Sequence, residues 1–137
     1  VEIGGTFRTM DEGWRNMVHQ QLHRLIEDIS GKYGFPSELR IVRGYPVLVN
    51  DPEFTGACSE IARDYLGAEN VEDLPLRMTA EDFAFISQEV PSCFFRLGTA
   101  SKERGITSGV HTANFDVDEK AISIGAGLMA RLALGAL

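Results

Sequence analysis

The chain has 137 residues, of which 44% are hydrophobic and 24% charged, with a net charge of -7. This is enough apolar residue for a domain core, and the longest apolar runs fall far short of a membrane span. Aromatics at 9% and the lack of low-complexity tracts exclude a disordered chain, and the acidic balance without a dense Lys/Arg cluster excludes general nucleic-acid binding.

Along the chain, residues 3–9 alternate loosely, with Ile3 and Phe7 on one side, and predict a strand. They contain no basic start, apolar leader or initiator Met, so the chain is expected to be a piece of something longer. Asp11 is a plausible helix cap. Trp14, Val18, Leu22, Leu25, Ile26 and Ile29 then recur at helical spacing, which predicts an amphipathic helix over roughly 12–30, ended by Gly31 and Gly34. Leu39, Ile41 and the run from Tyr45 to Val49 predict a second strand, with Pro46 limiting its later part to an edge or an exit.

Asn50-Asp51-Pro52 is sharp punctuation: Asp51 caps, Pro52 suits a first helical turn, and Gly67 stops the helix that follows. Thr79-x-x-Asp82 has a capping pattern before a short helix through Phe83, Phe85 and Ile86. Cys93 to Leu97, apolar except for Arg96, predicts a strand buried on both faces. The polar stretch 98–113 predicts a loop, and Asp116 or Asp118 caps a last helix whose Ala and Gly positions allow close packing. The junction near Asn50 is the expected domain boundary, and the order of elements predicts an α/β and α+β combination.

Candidate chemistry is sparse. His19 and His23 share one face of the first helix, but no third ligand lies nearby in sequence, so a solvated rim is the favoured reading. His111 stands in a polar loop between a strand and a capped helix, where ligands often bind. Glu81 and Asp82 are adjacent acids at a helix start, a position that the helix dipole alone explains, with site lining as the functional alternative. Cys58 and Cys93 lack C-x-x-C spacing and sit in apolar company, as buried free thiols do, although one disulfide between them stays open. No nucleophile elbow or phosphate loop is present.

Five segments taken in series carry a resemblance. They are Gly5-Thr6-Phe7-Arg8-Thr9 with Asp11-Glu12, Gly44-Tyr45-Pro46-Val47-Leu48-Val49-Asn50-Asp51-Pro52, Met78-Thr79-Ala80-Glu81-Asp82-Phe83-Ala84-Phe85, Cys93-Phe94-Phe95-Arg96-Leu97-Gly98-Thr99, and His111-Thr112-Ala113-Asn114-Phe115-Asp116-Val117-Asp118-Glu119. In that order they resemble the C-terminal part of the metal-dependent amidohydrolases and exopeptidases typified by hippurate hydrolase, aminoacylase and indole-acetyl-amino-acid hydrolase.

The resemblance implies part of a βαββαβ lid (dimerisation) domain over residues 1–49. It implies the C-terminal segment of an αβα-sandwich catalytic domain over 50–137. It also implies a two-metal site of Zn or Mn with His111 as the last ligand, and lining or supporting roles for Glu81, Asp82, Gly98 and Thr99. The substrate would be an N-acyl amino acid or a small peptide, attacked by metal-activated water. The other ligands, the general base and a lid His would come from upstream polypeptide. The chain alone is therefore expected to be inactive, and its partners to be that missing polypeptide or a second copy, with no nucleic acid and no membrane. A cytoplasmic setting is expected. The alternative reading is a non-catalytic binding or dimerisation module that associates through Trp14, Val18 and Leu22.

Overall fold

The computed structural model describes residues 1–135 and forms four α-helices: α1 (Glu12–Tyr33), α2 (Pro52–Leu66), α3 (Phe83–Glu89) and α4 (Lys120–Gly135), with a 3-10 turn at Ala68–Asn70. Two compact units emerge. Unit 1 comprises Val1–Val49 and Pro75–Val90; unit 2 comprises Asn50–Leu74 and the chain from Pro91 onward. The segment Met78 to Phe85 thus packs with the first 49 residues. No described helix is long and apolar enough to cross a membrane.

The helix termini follow local chemistry. The Asp11 carboxylate accepts the Trp14 N–H at 2.6 Å, and the Asp51 carboxylate accepts the Phe54 N–H at 2.8 Å. Pro52 occupies the first turn of α2, where its missing N–H costs nothing. At the end of α1 the chain runs through Gly31 and stops at Gly34, whose φ of 69° lies in the left-handed region and whose N–H reaches the Ser30 carbonyl at 2.9 Å. The Thr79 cap is not formed. α3 begins only at Phe83, Asp82 has helical backbone angles without a side-chain cap bond, and Glu81 Oε1 accepts the Phe83 N–H at 3.4 Å.

The strands expected at 3–9, 39–49 and 93–97 are not realised. Among the described residues there is no β-ladder, only an isolated antiparallel bridge between Ser101 and Ile106. A strand is made by its neighbour, since its N–H and C=O groups need a second backbone to pair with. No other described segment pairs with these three. The Cys93–Leu97 run is likewise not buried on both faces: Cys93, Phe94 and Leu97 are half-buried, and Phe95 and Arg96 are exposed.

Unit 1 is organised around the Glu12 carboxylate. It accepts Arg15 Nη2 at 2.6 Å, Arg43 Nη2 at 3.0 Å and the Val47 N–H at 2.9 Å, which ties residues 43–47 to the first turn of α1. Arg15 Nη1 also donates to the Tyr45 carbonyl at 2.7 Å. Burial pushes the Glu12 carboxyl up, but Arg43, the Val47 N–H and Arg15 outweigh it and hold the group below its ordinary value. The Tyr45 ring meets Phe85 edge-on at 5.7 Å, and Gln88 donates to the Val47 carbonyl at 3.1 Å, so α3 is held beside residues 45–47.

Unit 2 is built on the packing of α2 against α4. Leu128 and Ala121 are buried. Glycines on α4 admit the side chains of their neighbours: a methyl group at Gly135 would meet Ile61 Cδ1 at 2.5 Å, one at Gly125 would meet Leu97 Cδ2 at 2.8 Å, and one at Gly127 would collide with the Tyr65 hydroxyl. The small residues predicted for close packing serve that purpose.

The core is thin for the amount of chain. The accessible surface is 11092 Å². Two separate compact units, each of about half the mass of this chain, would together expose about 8,500 Å². Large apolar side chains contribute to the exposed surface: Trp14 is 49% exposed, Leu25 52%, Leu76 88% and Ile122 68%.

Candidate functional site

His111 lies in the connection between the 91–97 segment and α4, and that connection is fastened at its base. The Asp118 N–H donates to the Thr99 carbonyl at 2.8 Å, joining the start of the loop to its end. Within it, Ser101 and Ile106 exchange two backbone hydrogen bonds of 2.8 Å each, around a turn whose Gly105 has φ 71°. That turn carries Arg104. Its Nη1 donates to Asp118 Oδ1 at 3.1 Å and pairs with the Glu119 carboxylate. Asp118 Oδ1 also accepts the Lys120 N–H at 3.0 Å and thereby caps α4. Asp116 bonds only the Val117 N–H, so of the two predicted caps Asp118 is the one formed.

The Lys120 N–H lowers the Asp118 carboxyl; burial opposes this, and Arg104 adds to the lowering. The Arg104 hydrogen bond keeps the Glu119 carboxyl below its ordinary value, and Glu119 in return raises the Arg104 guanidinium.

His111 is exposed and has φ 64°, the one positive φ of a non-glycine residue among the described residues. Histidine tolerates the left-handed region better than most residues, but this backbone is still uncommon and concentrates at functional positions. The turn around it is held by Thr112 Oγ1 donating to the Gly109 carbonyl at 2.8 Å and by the Phe115 N–H donating to the Thr112 carbonyl at 3.2 Å. The imidazole is thus displayed on a shaped turn within a clipped loop.

The other candidates divide between the units. Gly98 and Thr99 belong with His111 to unit 2, where Thr99 supplies the carbonyl that closes the loop. Glu81 and Asp82 belong to unit 1. His19 packs edge-on against Phe7 at 5.5 Å, a structural contact, and His23 is exposed. A shallow depression on unit 1, lined by Arg8, Thr9, Met10, Asp11, Trp14 and Met78, includes none of the candidates.

Among the described residues no group of three or more His, Cys, Asp or Glu side chains is placed to hold a metal ion. Zn needs three or four protein ligands, so the residues present do not make a metal site by themselves, and His111 offers one ligand.

Two structural residues escaped the sequence. Arg104 lies in a polar run where nothing distinguishes a clip from a solvated charge. Asn50 marked a boundary, yet its side chain also does the work of a neighbouring strand. Its Nδ2 donates to the Phe94 carbonyl at 2.9 Å and its Oδ1 accepts the Phe94 N–H at 2.8 Å. The Asp51 N–H adds a bond to the Ser92 carbonyl at 2.9 Å.

Comparison with known proteins places these features in a wider group. The family model described as Peptidase family M20/M25/M40 matches residues 8–135. Thermostable carboxypeptidase 2 of Saccharolobus solfataricus is 32% identical over 135 residues, covering 98% of this chain and 34% of that protein. A putative amidohydrolase of Bacillus subtilis, YhaA, is 31% identical over 130 residues, covering 95% and 33%. An uncharacterized hydrolase of Staphylococcus epidermidis is 34% identical over 121 residues, covering 88% and 31%. The chain spans about a third of the length of the curated relatives it matches. No solved structure matches it.

Proposed function

Because the chain belongs to peptidase family M20/M25/M40, we propose that it is the C-terminal portion of a metal-dependent hydrolase that cleaves the amide bond of N-acyl amino acids or small peptides. The five motifs favour the branch typified by hippurate hydrolase, aminoacylase and indole-acetyl-amino-acid hydrolase. Residues 1–49 are assigned to the lid domain and 50–137 to the catalytic domain. His111 is assigned as one ligand of a divalent metal, Zn or Mn, whose other ligands and general base lie on polypeptide outside this chain. Gly98 and Thr99 support the loop that presents it. Glu81 and Asp82 are candidates for lining the parent's site on the strength of their motif.

The observation that carries this reading is the family match across residues 8–135, which takes in the first motif from Arg8 onward, the other four motifs whole, and the His111 turn. It accounts for a single exposed imidazole on a fastened loop, which one ligand alone leaves without a metal-binding role. It also accounts for three expected strands without partners and for the large exposed apolar side chains, since the sheet neighbours and covering elements would belong to the rest of the parent.

The test compares the purified 137-residue chain with its parent on N-acetyl and N-benzoyl amino acids and on dipeptides, with Zn or Mn supplied. The parent is expected to hydrolyse members of the panel and the chain to hydrolyse none. Turnover by the chain near the parent's rate overturns the proposal, as does a parent inert on the whole panel. The exposure of Trp14 (49%) and Leu25 (52%) on α1 favours a second reading, a module that associates through this helix without catalysis; an inert parent that self-associates is its signature.

A further inference from the structure

The stretch that carries His111 has little packing of its own to fix it. Residues 107–116 are exposed throughout. Their described hydrogen bonds are local: Thr112 Oγ1 to the Gly109 carbonyl, the Phe115 N–H to the Thr112 carbonyl, and the Val117 N–H to the Asp116 carboxylate. The stretch is therefore placed by its two ends, Ile106 and Asp118. Asp118 is buried and doubly held, since its N–H bonds the Thr99 carbonyl and its side chain caps α4. Among the described hydrogen bonds, those of Ile106 go to Ser101 alone, across the small turn 101–106. What ties that turn to the other end is Arg104 at its tip. Its Nη1 donates to Asp118 Oδ1 at 3.1 Å and pairs with the Glu119 carboxylate.

We propose that Arg104 is a positioning residue for His111, a role that rests on the reading of His111 as a metal ligand. By binding the 101–106 turn to Asp118 and Glu119, it holds the ends of the 107–117 stretch in the arrangement that presents the imidazole. The left-handed backbone of His111, at φ 64°, persists only where the surroundings over-determine it. The local bonds of the turn shape it without anchoring it, so the anchoring falls to the ends. Asp118 and Glu119 close the fifth motif and His111 opens it; Arg104, which lies outside every motif, links the two through the backbone.

A ligand must be held close to its productive geometry, and a looser support spreads it over arrangements that do not bind. Apparent affinity falls by the fraction of molecules that remain competent. Two partly exposed charge-assisted bonds are modest tethers, so losing both is expected to weaken metal binding about three- to tenfold without abolishing it.

The test uses the full-length parent and its Arg104→Gln, Arg104→Lys, Glu119→Gln and Arg104→Gln/Glu119→Gln variants. Each is made metal-free, hydrogen exchange is followed across residues 107–117, and Co(II) is then titrated in, its visible absorption reporting the ligand set. Arg104→Gln is expected to speed exchange in 107–117 while α2 and α4 keep wild-type protection, to weaken Co(II) binding about three- to tenfold and to alter the absorption. Arg104→Lys, whose single nitrogen can meet both carboxylates as Nη1 does, is expected to restore most of the affinity and the spectrum. Glu119→Gln is expected to act in the same direction, and the double variant to be no weaker than Arg104→Gln alone, since both changes break one clip. Wild-type Co(II) affinity and absorption in Arg104→Gln overturn the proposal. So does equal loss of protection in α2 and α4, a lysine variant as weak as the glutamine one, or additive losses in the double variant. An unchanged Co(II) spectrum in His111→Ala is the separate signature of a failed ligand assignment, and overturns the role of Arg104 with it.

Discussion

Replacing Gly127 by alanine tests how α2 and α4 meet. A Cβ at this position would lie 2.8 Å from Tyr65 Cζ and 3.4 Å from Cε1, and would collide with the hydroxyl beyond them, so the ring has to swing aside. It has an outward route, being 37% exposed, but Arg131 lies over its face at 5.5 Å and must move with it. Forcing a methyl group into such a contact costs about 1–3 kcal/mol. The same substitution gains about 1 kcal/mol in helix propensity. The balance is a local loss of about 1 kcal/mol, or amide exchange in α2 and α4 about fivefold faster by native-state hydrogen exchange of the parent. In a Tyr65→Ala background the collision is gone and only the propensity remains, so Gly127→Ala is expected to slow exchange there. A substitution that stabilises the helices with Tyr65 in place, or has the same sign in both backgrounds, refutes this register.

Asp11→Ala is expected to destabilise α1 by about 1 kcal/mol, as loss of a formed cap does, whereas Asp82→Ala is expected to leave α3 within about 0.5 kcal/mol because its side chain makes no cap bond; hydrogen exchange of the two helices checks the contrast. Asn50→Ala removes both side-chain bonds to Phe94 and is expected to cost about 1–3 kcal/mol, read as faster exchange through residues 92–97; unchanged exchange would dismiss the strand-like role of Asn50. Asp118 and Glu119 are held below their ordinary values of 3.8 and 4.5, so their contribution to the loop is complete above pH 4.5 and is lost as pH falls through their lower folded values. Exchange in residues 99–120 is therefore expected to loosen only under acid, and Arg104→Gln to flatten that response; an unchanged acid response in the variant contradicts the clip.

What was legible in the sequence was local. Asp11, Asp51, Gly34 and Gly67 end their helices by bonds that span three or four residues, and those signals need no knowledge of the rest of the fold. The end of α1 slipped from the expected residue 30 to Tyr33 because Gly31 fits inside a helix, whereas only Gly34 adopts the left-handed turn. The three expected strands depended on distant partners, and apolar alternation marks a tendency without supplying the second backbone. The same limit hid Arg104, whose carboxylate partners lie 14 and 15 residues away. For the site, the sequence placed His111 in a loop before a capped helix and gave Asp118 as one of two possible caps. The left-handed backbone of His111 and the three-point fastening of its loop follow from hydrogen bonds and φ angles that no spacing rule contains.

The central claim is that His111 serves as a metal ligand in a site completed by polypeptide beyond this chain. The most direct measurement is the metal content of the purified parent beside its His111→Ala and His111→Gly variants, with amide hydrolysis assayed on the same samples. Both variants are expected to bind less metal than the wild type and to lose hydrolysis together, even though glycine relieves the backbone strain at φ 64° that alanine retains. Full metal content and undiminished hydrolysis in the alanine variant would contradict the claim.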